Sequence, residues 1–140
     1  MNYKIESCKD GDADYIIDRL VEYNLAKVPA KQEVLFDTLD KNITDDNGKI
    51  IAGCVARMYC WNVTYIDTLW VNEKHRGKGL GSKLLAEIEK TAKDKGCYLI
   101  HLDTFDFQAK EFYEKHGYEV FGVLEDCPKG HCRYYLKKAF

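Results

Sequence analysis

Only two prolines occur in the 140 residues, and there is no internal repeat, low-complexity tract or linker. A multidomain or repeat architecture is therefore excluded at this length. Long apolar runs are also missing. No stretch approaches the roughly 18 to 20 uninterrupted apolar residues of a membrane span, so no membrane partner is expected. The start, Met1-Asn2-Tyr3-Lys4-Ile5-Glu6, lacks the basic-then-apolar layout of a signal peptide, and the expected location is the cytoplasm. Positive charge is not in excess: the net charge is −2, without the electrostatic footprint of a nucleic-acid binder. Cysteine is not scarce, with six at 8, 54, 60, 97, 127 and 132. Without an export signal these read as thiols rather than disulfides, and Cys54, Cys60 and Cys97 read as buried ones.

What is present is an ordinary soluble composition, 46% hydrophobic and 31% charged, sufficient for one core in a single domain over 1–140. Tyr3 to Cys8 alternates weakly and predicts an opening strand. Asp10-Gly11-Asp12 supplies helix-start chemistry, and Ile16, Ile17, Leu20, Val21 and Leu25 recur at helical spacing before Pro29. Residues 34–43 read as a strand, and Asn47-Gly48 between apolar runs signals a hairpin. The β-branched runs 49–61 and 63–71 extend an antiparallel meander. Leu80, Leu84, Leu85, Ile88 and Ala92 form a helical stripe closed by Gly96. A strand over 98–104, a helix over 108–116 ending at Gly117, and strands over 118–124 and 132–137 complete the chain. The expected fold is α/β (α+β-like), a mixed, mostly antiparallel central sheet with helices on both faces and one parallel pair across the 63–104 crossover.

Lys74, His75, Arg76, Lys78 and Lys83 fall within ten residues, a local basic patch on a slightly acidic chain that suits a small phosphorylated ligand. Among them runs Arg76-Gly77-Lys78-Gly79-Leu80-Gly81-Ser82, between a strand and a helix. Alternate glycines permit a tight turn with its amides inward, and the helix N-terminus adds partial positive charge, so the turn can hold phosphate. A Walker loop is excluded because Gly81-Ser82-Lys83 has the wrong order. A dinucleotide fingerprint would need glycine at 82, where serine stands.

What remains is R-x-x-G-x-G, and here the sequence resembles the GNAT superfamily of N-acetyltransferases. Arg76, Gly79 and Gly81 match their Gln/Arg-x-x-Gly-x-Gly/Ala signature. Ala109, Phe112, Tyr113, Gly117 and Tyr118 match a second motif, with Asp106 at its asparagine position. The resemblance implies an acetyl-CoA-dependent N-acetyltransferase acting on a primary amine of a small molecule or peptide by direct attack in a ternary complex. It further implies that backbone groups of Leu69 and Val71 hold the pantetheine arm and acetyl carbonyl. The amides from Gly77 through Lys78, Gly79, Leu80 and Gly81 to Ser82 would hold the pyrophosphate of the cosubstrate, with Lys74, Lys78 or Lys110 near the ribose phosphate. Phe112 reads as a core aromatic, and Tyr113 as the group that stabilises the departing thiolate.

Asp67, on the strand with Tyr65 and Leu69 and expected to share their face, is the first candidate base for the amine; Glu22, Glu33, Glu125 and His131 follow. No cysteine has a base at telling spacing, which disfavours a covalent acyl-enzyme. Cys127, His131 and Cys132 lack a fourth ligand, and no metal is expected. Asp106 cannot donate amide hydrogen bonds and would repel phosphate, which leaves a non-catalytic acyl-CoA-binding module as the alternative. O-acyl or longer-acyl transfer stays within the same fold. Exposed strand edges point to a homodimer as the assembly to test.

Overall fold

Asn47 and Gly48 turn the first hairpin as their chemistry requires. Gly48 takes φ +80°, and the Asp45 carboxylate accepts the amides of Asn47 (2.8 Å) and Lys49 (3.0 Å). In the computed structural model of the chain, which describes residues 1–140, this turn joins β2 (Lys41–Thr44) to β3 (Ile50–Tyr59). The segment expected as one strand over 34–43 is two. β1 (Phe36–Thr38) and β2 both pair antiparallel with β3. Between them Leu39 donates to the Ala56 carbonyl and Asp40 accepts the Ala56 amide, at 2.8 and 3.0 Å.

β4 (Val63–Val71) pairs antiparallel with β3 and leads through a 3-10 turn at Glu73–His75 into α2 (Leu80–Asp94). Gly96 at φ +95° closes α2, and Cys97 donates back to the Ala92 carbonyl at 2.9 Å. The chain then enters β5 (Leu99–Phe105), parallel to β4. α3 (Lys110–Lys115) is one and a half turns long, shorter than the helix predicted over 108–116, and ends before Gly117 at φ +89°. β6 (Glu119–Glu125) and β7 (Cys132–Ala139) form the final hairpin, with β7 inserted beside β5. The sheet order is β1-β3-β4-β5-β7-β6, with β2 also on β3. The single parallel pair is where the crossover predicts it.

Pleat alternation assigns the core to one face. Ala52, Cys54, Ala56 and Met58 of β3 face Ile66, Ile100 and Leu102 of β4 and β5, and Leu136 of β7. Onto them pack Leu84, Leu85, Ile88 and Ala92, the stripe expected on α2. Each large apolar side chain withdrawn from water here contributes about 1.5–3 kcal/mol. Tyr113 and Tyr118 close the core; the Tyr118 hydroxyl donates to Glu89 (2.8 Å), which also receives Lys138 Nζ (2.9 Å).

The amino-terminal part departs from expectation. α1 (Asp12–Lys27) forms where its periodicity predicts, yet none of its residues is buried. Residues 3–8 lie outside the sheet and are exposed, so the expected opening strand does not pair. Within one chain, helices cover one sheet face rather than both.

Candidate active site

The sheet forks. β4 and β5 pair only from Val63–Leu99 to Ile66–Leu102; beyond that, residues 67–71 run without a β5 partner. Asn72 donates to the Ile51 carbonyl of β3 at 2.8 Å. By antiparallel alternation, the neighbouring Val71 and then Leu69 turn their N–H and C=O groups away from β3, toward the gap. Arg76 Nε confirms the direction by donating to the Val71 carbonyl at 3.1 Å. Two adjoining clefts, which share Leu69, Ala109 and Tyr113 in their walls, lie at the gap. One, of 360 Å³, runs through the fork past Tyr65, Asp67, Leu69, Asp103, Tyr113 and Arg133. The other, of 440 Å³, continues along Leu69, Val71, Arg76, Gly81, Phe112 and Tyr113.

The glycine turn lies at the end of this second cleft. Gly77 and Gly79 take φ +79° and +77°, a region that costs any L-residue about 1–2 kcal/mol. Gly79 precedes the first turn of α2, whose leading amides have no intrahelical acceptor. A concavity here is lined by Arg76, Gly77, Gly79, Leu80, Gly81 and Ser82 among others. Lys78 does not line it. At Gly81 a Cβ would meet the Phe112 ring at 3.5 Å, ordinary contact distance. Phe112 also touches Tyr113 and His116 edge-on, and His116 Nε2 shares a 3.0 Å hydrogen bond with Ser82 Oγ.

Tyr113 stands at the junction of both clefts. It is 6% exposed, and its hydroxyl makes no hydrogen bond within the chain. Burial pushes its pKa well above the usual phenol value, with Cys54 and Asp103 adding to the rise. It is therefore a protonated donor at any ordinary pH.

Asp67 occupies a bulge: Ala56 pairs with Ile66 and Val55 with Thr68, leaving Asp67 as the extra residue. The alternation resets there, so Leu69 joins the core face beside Cys54 while Tyr65 lies on the opposite face beside Arg57. The expectation that Asp67 shares one face with both is corrected by this inserted residue. Asp67 is exposed at the cleft and accepts from Thr68 Oγ1 at 2.8 Å.

The more enclosed carboxylate is one that motif reading misses. Asp103 accepts from Tyr65 Oη (2.8 Å) and Arg133 Nε (2.9 Å), three side chains from β4, β5 and β7. Burial and this acceptor raise the Tyr65 pKa to about 12. Only the pairing of β5 with β7 brings Arg133 to Asp103; the signal available beforehand is the one acid in the strand 99–105.

Asp106 lines neither cleft, although its neighbours Phe105 and Phe107 each line one. Its carboxylate accepts His131 Nδ1 and the Cys132 amide, both at 2.9 Å, tying the end of β5 to the final hairpin. Burial alone would raise its pKa, but the Cys132 amide and His131 together hold it below the usual range. Lys110 is engaged by Glu114 at 2.9 Å, and Glu22 by Arg19 at 2.7 Å. Glu33, Glu125 and Lys74 line neither cleft. No helix is long and apolar enough to cross a membrane.

Comparison with known proteins identifies the family. A family profile described as "Acetyltransferase (GNAT) family" matches residues 14–118. The chain is 33% identical to acetyltransferase Atu2258 of Agrobacterium fabrum over the full length of both proteins. It is 36% identical to blasticidin-S acetyltransferase of Streptomyces morookaense over 66% of this chain and 68% of that protein. The crystal structure of an acetyltransferase from Bacillus cereus superimposes with a TM-score of 0.90 at 40% identity, covering 99% of this chain and 98% of the other. A forked sheet, a glycine turn and a family match over most of the sequence lead to one conclusion: the chain belongs to the GNAT acetyltransferase family.

Proposed function

We propose that the protein transfers the acetyl group of acetyl-CoA to a primary amine of a small molecule or peptide, by direct attack within a ternary complex. The observation that carries this reading is the convergence of the β4–β5 fork, the open edge of Leu69 and Val71, and Tyr113 on two adjoining clefts, the second of which shares Arg76 and Gly81 with the glycine turn. Pantetheine is an extended amide chain and suits an unpaired strand edge. Its pyrophosphate suits the amides from Gly77 to Ser82. The Val71 N–H would then lie near the developing oxyanion and stabilise it without reorganising.

In the reaction a C–N bond forms between amine and acetyl carbon, the C–S bond breaks, and the amine's proton leaves. An alkylamine near pKa 10.4 is neutral in only about 4 parts in 10⁴ at pH 7, a penalty of roughly 4.6 kcal/mol. Asp67, exposed at the cleft, is the proposed base. Asp103 offsets the charge of Arg133 at the cleft wall, so that a cationic acceptor does not meet an uncompensated guanidinium there. A phenol near pKa 10 protonating a thiolate near 8.5 is uphill by about 2 kcal/mol, and burial of Tyr113 raises this further. Tyr113 therefore stabilises the thiolate chiefly by donating a hydrogen bond.

The alternative, a pocket without turnover, rested on Asp106 repelling phosphate; its engagement by His131 and Cys132 weakens that argument. A cytoplasmic location and a homodimer belong to this reading, though the chemistry needs neither. Release of CoA thiol from acetyl-CoA, screened against polyamines, aminoglycosides, amino acids and peptide N-termini, tests it. Acceptor-dependent release supports the reading, and tight CoA binding with no release for any acceptor contradicts it.

A further inference from the structure

Two apolar surfaces of this chain have no partner within it, and each is the kind of surface the other requires. On α1, Ile16, Ile17, Leu20 and Tyr23 form one stripe at helical spacing, each more than half exposed. On the sheet, the face opposite α2 and α3 carries an open apolar groove of 610 Å³. Its lining includes Tyr59, Val63, Leu99, His101 and Phe121. Exposed apolar surface on this scale marks a contact site.

We infer that these surfaces mate between two copies of the chain: α1 of each copy docks on the open sheet face of the other in an exchanged homodimer. The linker favours exchange. Val28, just past α1, is extended (φ −129°, ψ 100°) and its carbonyl is held by Trp61 Nε1 at 2.8 Å. Lys31 donates to the Cys60 carbonyl at 2.8 Å. The chain is thus pinned at the end of β3, and the helix leaves that point without returning to its own sheet. Residues 3–8, with the alternation of a strand and no strand beside them, travel with α1.

Charge agrees with the assignment. α1 holds four acids (Asp12, Asp14, Asp18, Glu22) against two bases (Arg19, Lys27), a net −2. The open face is rimmed by Arg57, which has no acidic partner in its own chain, and by Lys137, which Glu119 approaches only to 3.9 Å. A 16-residue helix is about 24 Å long. An obligate dimer needs on the order of 2,000 Å² of buried surface, and two reciprocal contacts of a helix this long on an open sheet face offer an interface of that kind. Reciprocal exchange of an identical element is also a closed, self-limiting arrangement. Tyr65 and Asp103 belong to the same open face, so each copy's helix would wall the acceptor side of its partner's cleft.

The test needs no activity, so its outcome is independent of the acetyl-transfer reading. Benzoylphenylalanine is introduced at position 20, in place of Leu20, in the full chain. After illumination, a covalent product at twice the chain mass with the cross-link on the sheet segment 59–63 or 97–101 is expected. A cross-link to those segments within one chain mass, or none at all, overturns the exchange. In parallel, the double substitution Ile17→Asp with Leu20→Asp is expected to halve the mass measured by light scattering. The circular dichroism of the sheet should be retained, since α1 supports no core of its own. A variant that stays dimeric while folded overturns the proposal, as does a wild-type protein that is monomeric at micromolar concentration.

Discussion

Tyr65 donates to Asp103 at 2.8 Å across the two strands of the fork, within one residue of where their backbone pairing stops at Ile66 and Leu102. A single side-chain bond thus pins the vertex of the cleft, with Arg133 holding the far side of the same carboxylate at 2.9 Å. Asp103→Asn removes the charge that both donors share. It should destabilise the fold by about 1–3 kcal/mol, seen as a lower midpoint in urea, because a hydrogen bond to a charged group is lost. It should also raise KM for a cationic acceptor more than for acetyl-CoA. An equal rise in both would mean that Asp103 only shapes the fork.

Tyr113→Phe leaves the ring in its packing against Phe112 and Tyr118 and removes only the hydroxyl. Turnover should fall by about one to three orders of magnitude, the scale of losing one oriented hydrogen-bond donor to a developing anion, with acetyl-CoA Kd unchanged by calorimetry. Unchanged turnover would remove Tyr113 from the chemistry.

Gly79 and Gly81 should respond differently to alanine. Gly79 sits at φ +77° with open space around it, so Gly79→Ala is penalised by its backbone, about 1–2 kcal/mol. That strain acts on the phosphate turn and should weaken acetyl-CoA binding about tenfold or more. At Gly81 the φ is ordinary and the nearest atoms are 3.5 Å from a Cβ. Gly81→Ala should keep the wild-type Tm, and the contrast between the two is read by thermal shift and calorimetry.

Alkaline pH should unfold the protein earlier than neutral pH. Burial raises the pKa of Tyr113 and Tyr118 above the phenol value and moves the Cys54 thiol to about 12. Each group therefore holds its proton more tightly folded than unfolded. The resulting stability is fully present below the unfolded values, near 8.5 for a thiol and 10 for a phenol, and is lost as pH rises above them. Tm should be level from pH 7 to 8 and decline steadily above about pH 9. A level Tm up to pH 11 would contradict the assigned burial.

How much of this was legible beforehand depended on whether a residue's role is local. The turn at Asn47-Gly48, the stripe of α2 and its Gly96 cap, and the spacing of Tyr113 from Gly117 are set by neighbours along the chain, and they could be read. The bulge at Asp67 could not: an extra residue in β4 leaves no mark on an apolar pattern, yet it turns Leu69 to the core face. Asp103 and Arg133 meet only because β7 inserts beside β5, a fact of register between strands thirty residues apart. Tyr3 to Cys8 carries strand alternation, but alternation specifies a face and not a partner. In one chain that partner is missing.

Acetyl transfer by direct attack is tested most directly by intact-mass measurement of the protein and acceptor after mixing with acetyl-CoA. With an active amine from the acceptor screen present, acetylated amine and free CoA thiol should appear in equal amounts. Without it, the protein mass should stay unmodified over the same interval. An acetylated protein that passes its acetyl group on when the amine is added would contradict direct attack. CoA bound in the fork, with no acetyl transferred to any amine in the screen, would contradict the transfer itself.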